Sequence, residues 1–471
     1  METLQRTANR GSLSTGYNIE NSIGLEEAND ENLRTTDQAA GNQKTWTFSV
    51  WVKRTQLTYS WATIFGAGRN YIAFDADDRL QYRNYDGTSN YYLESTALFR
   101  DTSAWYHIVA IQDTTQATAS DRVRLYVNGE QITDFSTEDY PPQNLDGNLG
   151  GIGSSLNWLQ FGRFYSGGRH YSGYLAEAHY LNGTVAEATE FGEYDADSGI
   201  WIPKEYTGGG YGTQGFYYKF DNAASLGEDS SGEGHDANTY DNVTSANQAT
   251  DTPTNNFCTF NPLMTQNNPP TISEGATKST GGGGTWNNTW GNMGVKNGKW
   301  YYEFKVTNTS STGYFGASTT PAEGSNTTGA SVSYNTSFWV GSAASIDYYY
   351  WQNGSLVSNE STGWGGISTN DVIGIALDLD SATKTFTAYK NGTALSGTLS
   401  QPVDLPTNMQ DEFIFPLYIQ YENKQDEANF GGYTTSTISS AETDENGYGT
   451  FEYAPPSGYY ALCSRNLSEY G

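Results

Sequence analysis

Aromatic side chains grouped with amides and glycines are the residues of this chain whose types and spacing fit ligand binding most directly. The face of a pyranose ring carries C–H groups that stack on Trp or Tyr, and its hydroxyls need amide or backbone partners. The residues singled out as the candidate glycan site are Trp286, Trp290, Tyr350, Trp351 and Trp364. Packing in the interior is the alternative role for each ring. Segments of this composition are YRNYDGTSNYY (82–92), FGRFYSGGRHYSGY (161–174), WNNTWGN (286–292) and IDYYYWQNG (346–354).

Clusters of acidic residues suggest a second kind of site. Calcium binds grouped carboxylate and carbonyl oxygens. The segments FDADDRL and YDADSG are the candidates, with Asp75 and Asp77 in the first and Asp195 and Asp197 in the second. Neither matches the twelve-residue loop of an EF-hand, and solvated acidic turns are the alternative. Calcium is therefore the one cofactor that the sequence predicts.

The sequence matches the residue patterns typical of catalysis only poorly. A glycosidase needs two carboxylates flanking the scissile bond, and the nearest approximations are Glu193-Asp195-Asp197 and Asp378-Asp380. The first group precedes a predicted turn, and the second lies in a predicted strand. The four histidines are scattered, with His107 inside the strand-like segment WYHIV, and there is no G-x-S-x-G motif for a nucleophilic serine. We expect the protein not to be an enzyme.

The elements that position these residues are β-strands. Apolar residues alternate with polar ones in TWTFSVWVK (45–53) and VRLYV (123–127), which is typical of half-buried strands. Asn-Gly pairs at 128–129, 182–183, 353–354 and 391–392 predict tight hairpin turns. One helical turn is predicted at Val185–Phe191. These features indicate antiparallel sandwiches.

Composition limits the classes of partner. The chain has 471 residues, with 24 Lys and Arg against 53 Asp and Glu, so its formal net charge is −29. Such a charge repels nucleic acids and anionic membranes. No apolar stretch reaches the length of about 18 residues that a membrane span needs, and METLQRTANRG does not resemble a secretory signal. Two cysteines, Cys258 and Cys463, are expected to be buried thiols.

Two groups of segments resemble known families. The second half of the chain resembles a SPRY domain, a recognition module, in KWYYEFKV (299–306), YFGAS (314–318), DVIGIALDLD (371–380), TFTAYKNGT (385–393) and NFGGY (429–433). The first half is similar to a laminin-G or concanavalin-type jelly roll in WTFSVWVKR (46–54), DTSAWYHIVAIQDTT (101–115), RLYVNGEQ (124–131) and GYLAEAHYLNGT (173–184). Together with the join at 215–263 and PPSGYYALCSRNL (455–467), the chain resembles LamG–SPRY virion proteins of marine tailed phages.

These resemblances imply an all-β protein with two antiparallel β-sandwiches, a LamG-like jelly roll followed by a SPRY-like sandwich, joined by a connector of short strands. The predicted segments are 1–20, an anchor or a frayed terminus; 21–221, the jelly roll; 222–285, the connector; 286–445, the SPRY-like sandwich; and 446–471, a returning C-terminal segment.

The resemblance also implies a function. It predicts a tail or head fibre component on the virion surface that attaches to host cell-surface glycans or a receptor without cleaving them. Other virion proteins and further copies of the chain are its expected partners, with neither nucleic-acid binding nor membrane insertion. A capsid decoration protein and a polysaccharide-degrading glycosidase are the alternatives.

Overall fold

The fold is known from a computed structural model, which describes residues 16–35, 41–58, 61–147, 158–237, 239–264, 269–283, 286–309, 311–319, 337–341, 346–352, 355–360 and 362–471. The chain divides into two compact units, a first unit, Leu13–Thr254, and a second unit, Asn255–Gly471. The predicted all-β class with antiparallel sheets is confirmed. Among the described residues, no helix is long and apolar enough to cross a membrane.

The first unit consists of strands joined by turns and short helical segments. Its strands are β1 Ser22–Leu25, β2 Asn32–Arg34, β3 Thr45–Arg54, β4 Ala62–Ala67, β5 Asn70–Phe74, β6 Arg79–Tyr85, β7 Asn90–Leu98, β8 Trp105–Asp113, β9 Val123–Val127, β10 Glu130–Gln131, β11 Phe135–Glu138, β12 Gln160–Phe161, β13 Gly173–Asn182, β14 Gly192–Tyr194, β15 Trp201–Pro203, β16 Phe216–Tyr218, β17 Thr239–Asp241 and β18 Gln248–Ala249. Its helical segments are α1 Ala119–Arg122 and the 3-10 turns Glu27–Asn29, Ala188–Glu190 and Ser245–Asn247. The 3-10 turn at 188–190 falls within the helical turn predicted at 185–191.

Two sheets form the sandwich of the first unit. Sheet A has the order β10-β9-β8-β3-β13-β1-β18, with β16 also paired to β13, and sheet B has the order β11-β7-β6-β5-β4-β12-β2-β17. Apolar side chains from both sheets meet between them, as where Phe48 stacks on Phe65 with ring centroids 4.1 Å apart. The burial of these rings is the main source of stability for such a sandwich.

One strand departs from its predicted exposure. The strand β3 was expected to be half-buried, but nine of its ten residues are buried. Its outward-facing Trp51 stacks on His107, and His107 in turn stacks on Trp201. The segment that carries β14 and β15 thus covers the outer face of sheet A, which the alternation of one strand could not predict.

The second unit also consists of strands joined by turns and short helical segments. Its strands are β19 Thr271–Ser273, β20 Lys278–Thr280, β21 Trp286–Trp290, β22 Lys299–Val306, β23 Gly313–Ser318, β24 Ser337–Gly341, β25 Asp347–Gln352, β26 Ser355–Glu360, β27 Val372–Asp378, β28 Thr385–Lys390, β29 Thr393–Ala394, β30 Val403–Asp404, β31 Phe415–Tyr421, β32 Gln425–Asn429 and β33 Tyr460–Ala461. Its helical segments are the 3-10 turn Thr407–Met409 and helix α2, Ser464–Tyr470.

The sandwich of the second unit pairs two further sheets. Sheet C has the order β19-β20-β32-β22-β27-β28-β29, with β30 paired to β28 and β33 to β22, and sheet D has the order β21-β31-β23-β24-β25-β26. Strand β33 pairs with β22 in parallel, so the end of the chain completes sheet C. Cys258 and Cys463 are buried thiols, as predicted.

Two of the predicted hairpin turns are found, at 128–129 and 391–392. The prediction for 182–183 was wrong: Asn182 is the last residue of β13, only Gly183 has positive φ, and the chain continues into a longer connection. Asn128-Gly129 and Asn391-Gly392 both have positive φ at both positions, as type I′ turns require. The pair at 353–354 lies outside the described residues.

Candidate functional site

The predicted ligand residues lie on two faces of sheet D and in the segment that follows it. Trp286 and Trp290 are the first and last residues of β21, and Tyr350 and Trp351 are neighbours in β25. Because successive side chains of a strand point to opposite faces, Trp351 lies on the outer face of sheet D while Tyr350 packs against the interior core. The structure therefore does not bring the five residues into one site.

Two of the five rings are structural. Trp290 is fully buried, and its Nε1–H donates to Oγ of Ser318 at 2.9 Å. Trp364 is 6% exposed and belongs to the interior core. Tyr350 is held by Asn408, whose Oδ1 accepts its hydroxyl at 2.8 Å. A ligand in solution has direct access to neither tryptophan, so we exclude both from the candidate surface.

The outer face of sheet D carries an aromatic surface that includes Trp286 and Trp351. We call it the aromatic row: Tyr421, Trp286, Tyr314, Tyr349 and Trp351. All five side chains are half-buried. Trp286, Tyr314, Tyr349 and Trp351 pack over a buried layer formed by Trp290, Leu417 and Ile419, and Tyr421 joins the row through its contact with Trp286. The row thus has a firm base and leaves part of each ring accessible.

The contacts within the row join strands that are distant in the sequence. Trp286 contacts Tyr421 with ring centroids 4.9 Å apart, and it stacks on Tyr314 at 5.4 Å with an interplanar angle of 19°. Tyr314 meets Tyr349 edge-to-face at 5.2 Å. Aromatic pairs at these separations attract one another beyond their burial, so the rings hold each other in place before any ligand binds.

The chemistry of the row is that of an uncharged amphipathic surface. Burial, followed by the neighbouring Tyr349 and Asp347, raises the pKa of Tyr314. Burial and Asp347 likewise raise the pKa of Tyr349. Both hydroxyls therefore stay neutral across the physiological range, where they can donate or accept hydrogen bonds. The row suits a ligand with an apolar face and hydroxyl groups at its edge.

The predicted calcium residues of the first unit lie in two turns. Asp75 Oδ1 accepts the backbone amides of Asp77 and Arg79 at 2.9 and 2.8 Å. The adjacent Asp78 is bound by Arg54 at 2.9 Å and Arg100 at 2.8 Å. Burial opposes ionisation of Asp78, but the amide of Thr58 and the two guanidinium groups outweigh it and lower its pKa. Arginine side chains thus supply the positive charge at this turn.

In the other turn, Asp195 Oδ1 accepts the backbone amide of Ser198 at 2.7 Å, and Asp197 is exposed. Hydrogen bonds from Ser198 lower the pKa of Asp195. Among the described residues, no group of three or more His, Cys, Asp or Glu side chains is placed to hold a metal ion. Calcium binding at these turns stays a prediction, which titration of the chelator-treated protein with calcium would test.

A serine–histidine pair, which the sequence did not suggest, lies under the cover of sheet A. Oγ of Ser49 is 2.8 Å from Nε2 of His107, and the indole Nε1–H of Trp201 donates to Nδ1 of His107 at 3.0 Å. Because Nδ1 accepts this bond, the proton of the neutral ring is on Nε2 and is donated to Ser49. Burial, with a smaller effect of His179, lowers the pKa of His107 to about 3. His107 in this arrangement has no free lone pair with which to activate Ser49.

The sequence predicted only some of the residues of the aromatic row. Trp286 and Trp351 were predicted, whereas Tyr421 and Tyr314 were missed because they lie outside the four aromatic segments. The available signal was period-two alternation, which places Tyr314 opposite to the buried Phe315. Tyr349 was within a predicted segment but was not selected.

Comparison with protein families finds one match in each half of the chain. Residues 27–189 match the family model of the concanavalin A-like lectin/glucanases superfamily, and residues 299–431 match that of the SPRY domain. The chain therefore contains a LamG-like domain and a SPRY domain, both of which belong to classes of binding module. No curated protein matches the chain.

Several solved structures are similar to parts of the chain. The SPRY domain of human HERC1 is 15% identical over 36% of this chain and 96% of that one, with a TM-score of 0.26. The pentraxin of Limulus polyphemus is 16% identical over 36% and 80%, with a TM-score of 0.26. Domains LG4-5 of the mouse laminin alpha1 chain are 10% identical over 88% and 90%, with a TM-score of 0.28.

Proposed function

Because the chain joins a LamG-like domain to a SPRY domain, we propose that it is a virion structural protein of a tailed phage that attaches the particle to its host. In this proposal it is a tail or head fibre component, exposed on the virion and assembled with other virion proteins and with copies of itself. Its binding modules grip cell-surface glycans and do not cleave them. The resemblance of the domain order and of the joining segments to LamG–SPRY virion proteins supports this assignment.

The aromatic row is the observation that carries the binding role. Its rings are half-buried and lie along one side of sheet D, where they can contact pyranose rings. None of its five members carries a charge at neutral pH, since its polar groups are phenolic hydroxyls and indole N–H groups. We therefore propose a neutral glycan as its ligand.

A catalytic role has less support than binding. Hydrolysis of a glycosidic bond needs two carboxyl groups that flank the bond, one of which acts as the general acid. The aromatic row itself contributes no carboxylate. Asp378, one of the acidic residues considered from the sequence, is bound to Lys299 at 2.9 Å and to Ser381 at 2.9 Å. Glu193 is exposed in β14. These placements favour the non-catalytic proposal.

A direct test uses the full chain on an array of neutral glycans and on host cells, with released reducing sugar measured in the same wells. We expect saturable binding without sugar release, and at least a tenfold loss of affinity in Trp286→Ala, since a lost stacking contact is worth on the order of 1.4 kcal/mol. Tyr194→Ala is the matched control, because Tyr194 is an exposed aromatic residue of the first unit.

The other possible results of this experiment would either support an alternative function or refute the assignment of the binding surface. Sugar release would establish a glycosidase and overturn the non-catalytic proposal. Binding to phage heads, with none to cells or glycans, would establish capsid decoration. Equal losses in Trp286→Ala and Tyr194→Ala would refute the assignment of the aromatic row.

A further inference from the structure

A second aromatic surface, quite different in charge, lies on the outer face of sheet B in the first unit. We call it the arginine–aromatic patch: Trp61, Arg69, Tyr71, Arg83, Tyr85 and Arg169. It draws on two of the aromatic segments noted in the sequence, 82–92 and 161–174, which the proposed function leaves without a role. The apolar side of β5, with Ile72 and Phe74, faces the core, so Tyr71 faces outward together with its register partner Arg83 on β6.

Each guanidinium group of the patch is held by aromatic rings. Arg83 Cζ lies 5.5 Å from the ring centroid of Tyr71 and 5.6 Å from that of Tyr92. Its Nε and Nη2 both donate to Oδ1 of Asn90, at 3.1 and 2.7 Å. Arginine stacked on tyrosine in this way is restricted in its rotamers, so little freedom is lost when a ligand binds.

The other two arginines are held similarly. Arg69 lies 4.9 Å from the ring of Tyr85 and donates from Nε to the hydroxyl of Tyr165 at 3.1 Å. Arg169 lies 4.1 Å from the ring of Trp61 and 4.6 Å from that of Phe164. The three arginines share one surface. Phe164 meets Tyr71 edge-to-face at 5.6 Å, which joins Arg169 to Arg83, and Arg83 lies 6.0 Å from the ring of Tyr85, which also contacts Arg69.

The positive charge of the patch is not offset by ion pairs. In the described part of the chain, no carboxylate lies within ion-pair distance of Arg69, Arg83 or Arg169. Arg34 and Arg122 of the same unit also lack such a partner among the described residues, whereas Arg54, Arg79, Arg100, Arg124 and Arg163 have one. The patch differs in bringing three such arginines together on one surface. Burial raises the pKa of Tyr71 to about 12, and the charges of Arg83 and Arg169 oppose that rise. Both charges therefore act on Tyr71, which lies 2% exposed beneath the arginines of the patch. In a chain of net charge −29, the patch is a localised positive site.

We propose that the arginine–aromatic patch binds a polysaccharide that carries sulfate or carboxylate groups. A guanidinium group matches the paired oxygens of either anion, and the half-buried rings of Tyr85 and Trp61 lie beside those cations, where a sugar ring can contact them. This site is in a different unit from the aromatic row and takes a different class of ligand, so it goes beyond the proposed function.

The overall charge favours a polysaccharide over a nucleic acid. Duplex DNA carries about one charge per 1.7 Å of its axis, so a bound duplex would place many phosphates near a protein of charge −29. A polysaccharide with one anionic group per sugar or per repeat has a lower charge density. Three cations on one face can neutralise it locally.

The test compares dextran sulfate, alginate and unsubstituted dextran as probes, using the full chain at low and at physiological salt. We expect dextran sulfate or alginate to bind with an affinity that falls as salt rises, and unsubstituted dextran to bind at least tenfold more weakly. Arg69→Gln and Arg83→Gln should each reduce binding of the anionic probe at least fivefold. Arg83→Lys, which keeps the charge but not the planar fork, should lie between wild type and Arg83→Gln.

Matched controls separate this site from other effects. Arg124→Gln removes an arginine that is already paired with Glu187 at 2.8 Å, and it should leave the affinity unchanged. Trp286→Ala should also leave it unchanged, so failure of the proposed function and failure of this proposal are distinguishable. Arg69 is exposed, and its variant should fold normally by circular dichroism.

Three results would overturn the proposal: equal affinity for dextran and dextran sulfate, unchanged binding in the combined variant Arg69→Gln with Arg83→Gln, or tighter binding of a short DNA duplex than of either anionic polysaccharide.

Discussion

Trp286 and Tyr314 stack face to face with ring centroids 5.4 Å apart, although the strand β31 lies between the strands that carry them. Both rings reach across β31 on the outer face of sheet D, above Ile419, which is the register partner of Tyr314. The stack ties three strands together on the side of the sheet away from the core. It also fixes the relative position of two rings that the proposed glycan would contact.

This stack predicts an energetic coupling between the two rings. We expect the double-mutant cycle of Trp286→Ala and Tyr314→Ala to give a coupling of about 0.5–1.5 kcal/mol in the free energy of unfolding, because each ring loses its partner in either single variant. Urea unfolding followed by circular dichroism measures it. Additive effects of the two substitutions would show that the rings do not support each other.

Trp290 is expected to behave differently from Trp286, although both lie in β21. Trp290→Ala should destabilise the second unit by about 3–5 kcal/mol, since it removes a fully buried ring and its hydrogen bond to Ser318. Trp286→Ala should cost much less, because its ring is half-buried. Thermal unfolding of both variants makes the comparison. A Trp290→Ala protein of unchanged stability would contradict the buried placement.

In the first unit, Lys53 and Asp251 form a buried ion pair at 2.6 Å, and Asp251 also accepts Nε1–H of Trp105 at 3.0 Å. Asp251→Asn should destabilise the unit by about 3–5 kcal/mol, because it removes the negative charge that Asp251 places against the buried ammonium group of Lys53. Asp146→Asn is the control, since it breaks the exposed contact of Asp146 with Lys44 and should cost less than about 1 kcal/mol. Denaturant unfolding measures both. Similar costs for the two variants would be inconsistent with this account.

The buried carboxyl group of Glu303 leads us to expect that the attachment of the C-terminal segment in the second unit depends on pH. Its carboxylate accepts the backbone amides of Glu452 and Tyr453 at 2.9 and 3.0 Å. Burial raises its pKa to about 7, in spite of these bonds. Between the ordinary value of about 4.5 and 7, the folded state binds the proton that the unfolded state has lost, so stability falls as the pH rises through this window.

Hydrogen exchange at the amides of Glu452 and Tyr453 provides the local readout. We expect their protection, corrected for intrinsic exchange, to decrease from pH 5 to pH 7 and then to level off. Glu303→Gln should remove this slope, whereas Glu360→Gln, at an exposed position of β26, should retain it. A slope that persists in Glu303→Gln would assign the pH dependence to another group.

Much of the fold was predictable because strand formation depends on local patterns. The strands β3 and β9 lie where the alternation at 45–53 and 123–127 predicted them, and the Asn-Gly turns at 128–129 and 391–392 have the expected conformation. Helix α2 at Ser464–Tyr470 was missed. Its apolar positions are few, and it is stabilised by contacts such as the stacking of Tyr470 on Tyr460 at 3.9 Å, which no short window of sequence contains.

The sequence by itself determined the all-β class, the order of the two binding modules and the alternation that sends Tyr350 inward and Trp351 outward. These properties follow from the two-residue period of a strand, which is a local feature of the backbone. Only the tertiary structure decided which rings share a surface. Tyr421 stands beside Trp286, and Arg83 beside Tyr71, because strand pairing brings residues from separate segments into register. Pairing depends on contacts along the whole chain, so the binding surfaces emerge only when the sheets form.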